Sequence, residues 1–61
     1  MKLKSMPKDP MILLSYVNTQ LRDFYSSLNE LCEENGWSEQ ELTTRLSQID
    51  YHYDFGNNRF A

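Results

Sequence analysis

Asn35-Gly36-Trp37-Ser38-Glu39-Gln40-Glu41-Leu42 places a helix stop and a helix start side by side, and the reading of the whole chain turns on it. Gly36 supplies the residue that adopts a left-handed conformation without steric cost and so ends a helix. Two positions later, Ser38 with Glu41 has the form of a capping box: the serine oxygen and the glutamate carboxylate each accept from an otherwise orphaned backbone N–H. Trp37, just ahead of the cap, stands where a hydrophobic staple onto Leu42 is expected. A tight corner between two helices follows. Beyond it, Leu42, Leu46 and Ile49 share one face, and Glu41 with Arg45 forms an i, i+4 pair on the surface.

Upstream of the corner, Leu28, Leu31 and Cys32 lead back to Ser26-Ser27. Ser27 followed by Glu30 is a second capping box, so the serines restart a helix here; the alternative is one continuous helix over 10–35. Further back, Asp9-Pro10 opens the first helix: Asp9 accepts from a first-turn N–H, and Pro10 lacks only a donor that would have gone unpaired. Leu14, Val17, Leu21, Phe24 and Leu28 then recur at steps of three and four, with Leu13 and Tyr16 widening the stripe. Residues 1–8 carry Lys2, Lys4 and Lys8 without an acid, and they read as a tail that is either frayed or ordered only by packing on something else.

Downstream of Asp50 the period changes to two. Tyr51, Tyr53 and Phe55 alternate with His52 and Asp54, Gly56-Asn57-Asn58 makes a turn, and Arg59-Phe60 follows. This is a short strand or extended arm laying aromatics over the helices, with Tyr51 and Phe55 closing their open side. Its partner is the Leu3 region, the Arg59-Phe60 end, or another chain.

The expected fold is therefore mainly α. A small bundle of about three helices carries a C-terminal extended aromatic arm, all in one domain over 1–61: tail 1–8, helical core 9–50, arm 51–61. The expected core is Leu14, Val17, Leu21, Phe24, Leu28, Leu31, Trp37, Leu42, Leu46 and Ile49.

Composition narrows the function classes. The chain has 61 residues, 39% of them hydrophobic and eight aromatic (Phe 3, Tyr 4, Trp 1), and its formal net charge is -3. That supplies a compact core but little material for a deep catalytic cleft. The one cysteine, Cys32, has no internal disulfide partner, which suits a reducing compartment. No apolar run approaches the roughly 20 residues of a membrane span, and Met11–Leu14 is too short for a signal-peptide core. A cytoplasmic protein without membrane contact is the expectation.

Several segments also resemble a known family. Pro7-Lys8-Asp9-Pro10, Leu13-Leu14-Ser15-Tyr16-Val17-Asn18, Leu21 through Leu28, Leu31-Cys32, Ile49 through Asp54 and Asn58-Arg59-Phe60 are similar to short bacterial proteins grouped as a domain of unknown function, number four-two-five-zero in that series. The resemblance runs from Pro7 nearly to the end and implies a complete small protein. It implies no particular activity, because the family has none assigned that could be carried over.

The chemical constellations are sparse. Gly36-Trp37 between helices resembles the turn of a DNA-binding helix-turn-helix, with Leu31, Cys32, Trp37 and Leu42 at suitable positions. Asn35 and Arg45, however, stand where apolar residues belong, and Ser38-Glu39-Gln40-Glu41 would bring carboxylates to a phosphate-lined groove. His52 with Asp50 or Asp54 offers too few ligands, too close along an extended segment, for a metal site. Cys32 lies on an apolar face near Glu30, Glu33 and Glu34, which disfavours a nucleophilic thiolate.

The aromatic end stands out, because Tyr51, His52, Tyr53, Arg59 and Phe60 combine residue types that protein interfaces favour at their centres. The expected function is a protein–protein interaction or adaptor module, self-association included. The alternative is a helix-turn-helix-like regulator linked to nucleic acid. No enzymatic activity, catalytic residue, cofactor or metal is expected.

Overall fold

The first helix begins where Asp9 caps it: the carboxylate accepts from Met11 N–H at 2.9 Å, and Pro10 follows at the first helical position. The computed structural model describes residues 5–61. Its order is α1 (Pro10–Asp23), α2 (Leu28–Asn35), α3 (Glu39–Ser47), β1 (Tyr53–Asp54) and β2 (Arg59–Phe60). The architecture is the expected three-helix bundle, and the arm is a short antiparallel hairpin.

The chain breaks at the serines, so residues 10–35 form two helices. Ser27 Oγ accepts from Glu30 N–H at 3.2 Å. The Glu30 carboxylate does not return to Ser27 but accepts from the backbone N–H and the hydroxyl of Ser26, at 3.1 and 3.0 Å. One polar residue more than a standard capping box is thereby satisfied.

Both remaining helix ends close in the same way. After α2, Trp37 N–H donates to Cys32 O at 2.9 Å and Gly36 N–H to Glu33 O at 3.3 Å, with Gly36 at φ 71°. After α3, Tyr51 N–H donates to Leu46 O and Asp50 N–H to Ser47 O, both at 3.0 Å, with Asp50 at φ 65°. These are two Schellman closures, one built on glycine and one on aspartate. At the corner, Ser38 Oγ accepts from Glu41 N–H at 3.3 Å, and the Trp37 ring lies 5.9 Å from that of Tyr16 on α1.

Leu13, Val17, Leu31, Leu42 and Leu46 are wholly buried, and Leu14, Leu21, Leu28 and Cys32 join them. Trp37 and Ile49 are half-buried against this cluster. Two expectations are corrected. Phe24, assigned to the core, is 70% exposed, because α1 stops at Asp23 and the helical register that would turn Phe24 inward ends with it. Tyr25 packs on the core in its place. Phe60, assigned to a surface, is 2% exposed and belongs to the core.

Residues 5–8 carry two contacts that a free tail would lack. Met6 packs on the core, and the Pro7 carbonyl accepts from Arg45 Nη1 at 2.7 Å. Leu3, Lys2 and Lys4, to which tail and strand-partner roles were assigned, lie outside the described residues.

Candidate protein-contact face

The arm pairs with the chain's own C-terminal end. Tyr53 stands opposite Phe60 and Asp54 opposite Arg59, and His52 and Ala61 extend the ladder by exchanging backbone hydrogen bonds at 3.0 and 2.9 Å. Alternation along so short a ribbon turns Arg59 outward and Phe60 inward.

The turn is held from within. The Asp54 carboxylate accepts from Gly56 N–H at 3.0 Å, from Asn57 N–H at 3.4 Å and from Asn57 Nδ2 at 2.7 Å. The Asn57 side chain foremost, helped by these backbone donors and the nearby Arg59 charge, keeps the carboxyl below its ordinary value against burial, the second-largest effect, which opposes them. Asn58 adopts a left-handed conformation at φ 54°. Its amide donates to the carbonyls of Leu21 and Tyr25, at 3.2 and 3.0 Å, and its Oδ1 accepts from the Tyr53 hydroxyl. A carbonyl of the last turn of α1, Leu21 O, and that of Tyr25 just beyond the helix are thus capped by a residue from the hairpin.

Asn18 completes the attachment. Its Nδ2 donates to Phe60 O and its Oδ1 accepts from Phe60 N–H, so a helix side chain occupies the outer edge of β2. Sequence reasoning put Asn58 in a turn but gave neither Asn18 nor Asn58 its tethering role. An asparagine flanking an apolar stripe carries no local mark of a partner about 40 positions away.

The five expected contact residues separate into three groups. His52 and Arg59 are exposed, Tyr51 and Tyr53 are half-buried, and Phe60 is interior. Phe55, expected to close the bundle, is 83% exposed instead. The chain leaves its extended path after Asp54, so Phe55 is already part of the turn, and its ring meets Tyr53 edge-on at 4.6 Å. The turn sequence Gly56-Asn57-Asn58 immediately after it was the available signal. The exposed side chains of the hairpin are therefore Phe55, whose ring lies against Tyr53, and His52 and Arg59, which alternation along the ladder places on the face opposite Tyr53 and Phe60.

Between α1 and the turn runs an open groove of about 490 Å³ flanked by Arg22 and Arg59. Each cation has a carboxylate beside it. Arg22 Nε and Nη2 bind Asp23 at 3.0 and 3.1 Å, and Arg59 lies opposite Asp54 in the ladder. Asp23, held by the Arg22 guanidinium, is below the ordinary carboxylate value.

Elsewhere, Cys32 is 4% exposed, and burial first and the Glu39 charge second push its thiol up to about 11. It remains protonated at neutral pH. Among the described residues no three His, Cys, Asp or Glu side chains cluster to hold a metal ion, and no helix is long and apolar enough to cross a membrane. The α2–α3 corner exists as expected, and α3 opens with exposed Glu39, Gln40 and Glu41.

A family model described as Domain of unknown function (DUF4250) matches residues 7–60. The chain belongs to this family. The matched segment starts at the residue whose carbonyl Arg45 holds and ends at the aromatic that Asn18 clamps, so it covers all of the hydrogen-bonded unit described above except Ala61. No curated protein and no solved structure matches the chain.

Proposed function

We propose that this DUF4250 chain is a cytoplasmic protein–protein interaction module acting through the exposed face of its C-terminal hairpin, by contact and not by catalysis. The observation that carries this reading is Phe55. A phenylalanine 83% exposed, at the start of a turn that hydrogen bonds of Asp54 and Asn58 anchor, contributes little to the core and is presented to the outside. Arg59 and His52, exposed on the opposite face of the same hairpin, supply polar groups that such contacts use. The protonated, buried Cys32 is a packing residue and not a nucleophile. Exposed Glu33, Glu34, Glu39 and Glu41 on α2 and α3 favour a protein partner over a phosphate backbone.

Affinity capture from source-cell lysate with wild-type and Phe55→Ser baits tests the proposal, with Phe24→Ser as the comparison. Loss of captured proteins with Phe55→Ser alone supports it. Identical captures with all three baits overturn it.

A further inference from the structure

The hairpin has two outer edges, and among the described residues only one of them finds a partner. Because His52 and Ala61 exchange backbone bonds, the next pair, Tyr53 with Phe60, turns its N–H and C=O groups away from each other. On the β2 side, Asn18 takes both groups of Phe60. On the β1 side, the N–H and C=O of Tyr53 face outward, and no hydrogen bond to another described residue engages them. An open strand edge of this kind is a template for another strand.

We infer that β1 pairs with β1 of a second copy of this chain, antiparallel about Tyr53, in a two-fold-symmetric dimer. This rests on the protein-contact reading above and names the partner. Tyr53 is the centre because its neighbours in the same outward register are spent or displaced: Tyr51 N–H is committed to Leu46 O, and Phe55 has entered the turn. In that register the two Tyr53 residues exchange N–H···O=C bonds across the axis. His52 then stands opposite the partner's Asp54, and Asp54 opposite the partner's His52, so an imidazole meets a carboxylate twice. The Asp54 carboxylate retains lone pairs beyond those its own turn uses.

The strand is thus complementary to itself in hydrogen bonding and charge, as an isologous contact requires. A foreign peptide would gain the two bonds of Tyr53 but not these symmetric side-chain pairs.

Sedimentation of the full chain over micromolar to millimolar concentrations, with His52→Asp and His52→Lys alongside, tests this. His52 is exposed and its side chain makes no hydrogen bond to a described residue, so both variants keep the fold, which circular dichroism verifies. The wild type dimerises. His52→Asp sets two like-charged pairs across the axis and raises the dimer Kd about tenfold, and His52→Lys lowers it several-fold. In a mixed-labelled sample, an intermolecular NOE joins the Hα protons of His52 and the partner's Asp54. A monomer at every concentration, or a dimer whose Kd ignores the sign of residue 52, overturns the inference. The contact reading fails separately: a monomer whose captures still depend on Phe55 sinks the dimer and leaves that reading standing, whereas captures indifferent to Phe55 sink the reading itself.

Discussion

The side-chain amide of Asn18 grips the backbone of Phe60 at both of its polar groups, donating to the carbonyl at 3.0 Å and accepting from the N–H at 2.8 Å. A helix residue thus stands in for a third strand and satisfies groups that the hairpin itself leaves facing outward. Asn18→Ala leaves the part-buried N–H and C=O of Phe60 without their partner, at a cost of about 1–3 kcal/mol. Urea denaturation should show that loss, and amide hydrogen exchange at Phe60 should speed up relative to the helices. Unchanged protection at Phe60 would mean that the clamp contributes nothing.

Phe60 and Phe24 invert what the pattern suggested. Phe60→Ala removes a ring that is 2% exposed and should cost about 3–5 kcal/mol, enough to unfold much of so small a domain. Phe24→Ser changes a side chain that is 70% exposed and should shift stability by no more than about 0.5 kcal/mol. Thermal melts of the two variants distinguish these outcomes, and equal losses would contradict the burial seen here.

What could be read in advance was local chemistry. The caps at Asp9, Ser27 and Ser38 and the stop at Gly36 each involve groups within a few positions of one another, so residue type and spacing were enough to place them. The hairpin's attachment was not legible in this way. Asn18 to Phe60 spans 42 positions, Asn58 to Leu21 spans 37, and neither asparagine is distinguishable by type from a solvated one. Phe24 and Phe55 were misplaced for a related reason. Each lies one residue past the end of a regular element, where the period that assigns a face no longer holds. Consequently the architecture was recoverable, and the identity of the exposed aromatic was not.

The two Schellman closures predict opposite responses to substitution. Gly36→Ala forces a β-carbon into a backbone at φ 71° and should cost about 1–2 kcal/mol. Asp50 already bears a lesser form of that penalty at φ 65°, so Asp50→Gly should gain about 0.5 kcal/mol. Denaturation midpoints moving in opposite directions would confirm the pair, and a loss with Asp50→Gly would show that its side chain matters more than its backbone.

Cys32 should react as a buried thiol. With the group pushed up to about 11 by burial, the native chain should modify with a thiol reagent far more slowly than the urea-unfolded chain at neutral pH. The linkage has a definite sign. A raised value means that the fold prefers the protonated thiol, so this contribution is complete below the ordinary value of 9.0 and is lost as pH rises through about 11. Cys32→Ser should lose the alkaline dependence along with some packing. Rapid labelling of the native protein would contradict the buried placement.

Asp54 makes the corresponding prediction at acid pH. Its carboxylate is held below the ordinary value of 3.8 chiefly by the Asn57 side chain, with the backbone donors of Gly56 and Asn57 and the Arg59 charge adding to it. The folded hairpin therefore prefers the ionised form. That preference is present in full above pH 3.8 and is lost as pH falls through the lower, folded value. Protonation removes acceptor strength from the bonds to Gly56 and Asn57, so their amide resonances should move together in that acid range, before the helices respond. Asp54→Asn keeps an acceptor oxygen but cannot titrate, and its Gly56 and Asn57 amides should stay flat over the same range. Because Phe55 is presented by this turn, its ring contact with Tyr53 should loosen in step with the two amides in the wild type alone. If those amides titrate equally in Asp54→Asn, another carboxylate governs the turn, and the rigid presentation of Phe55 loses its physical basis.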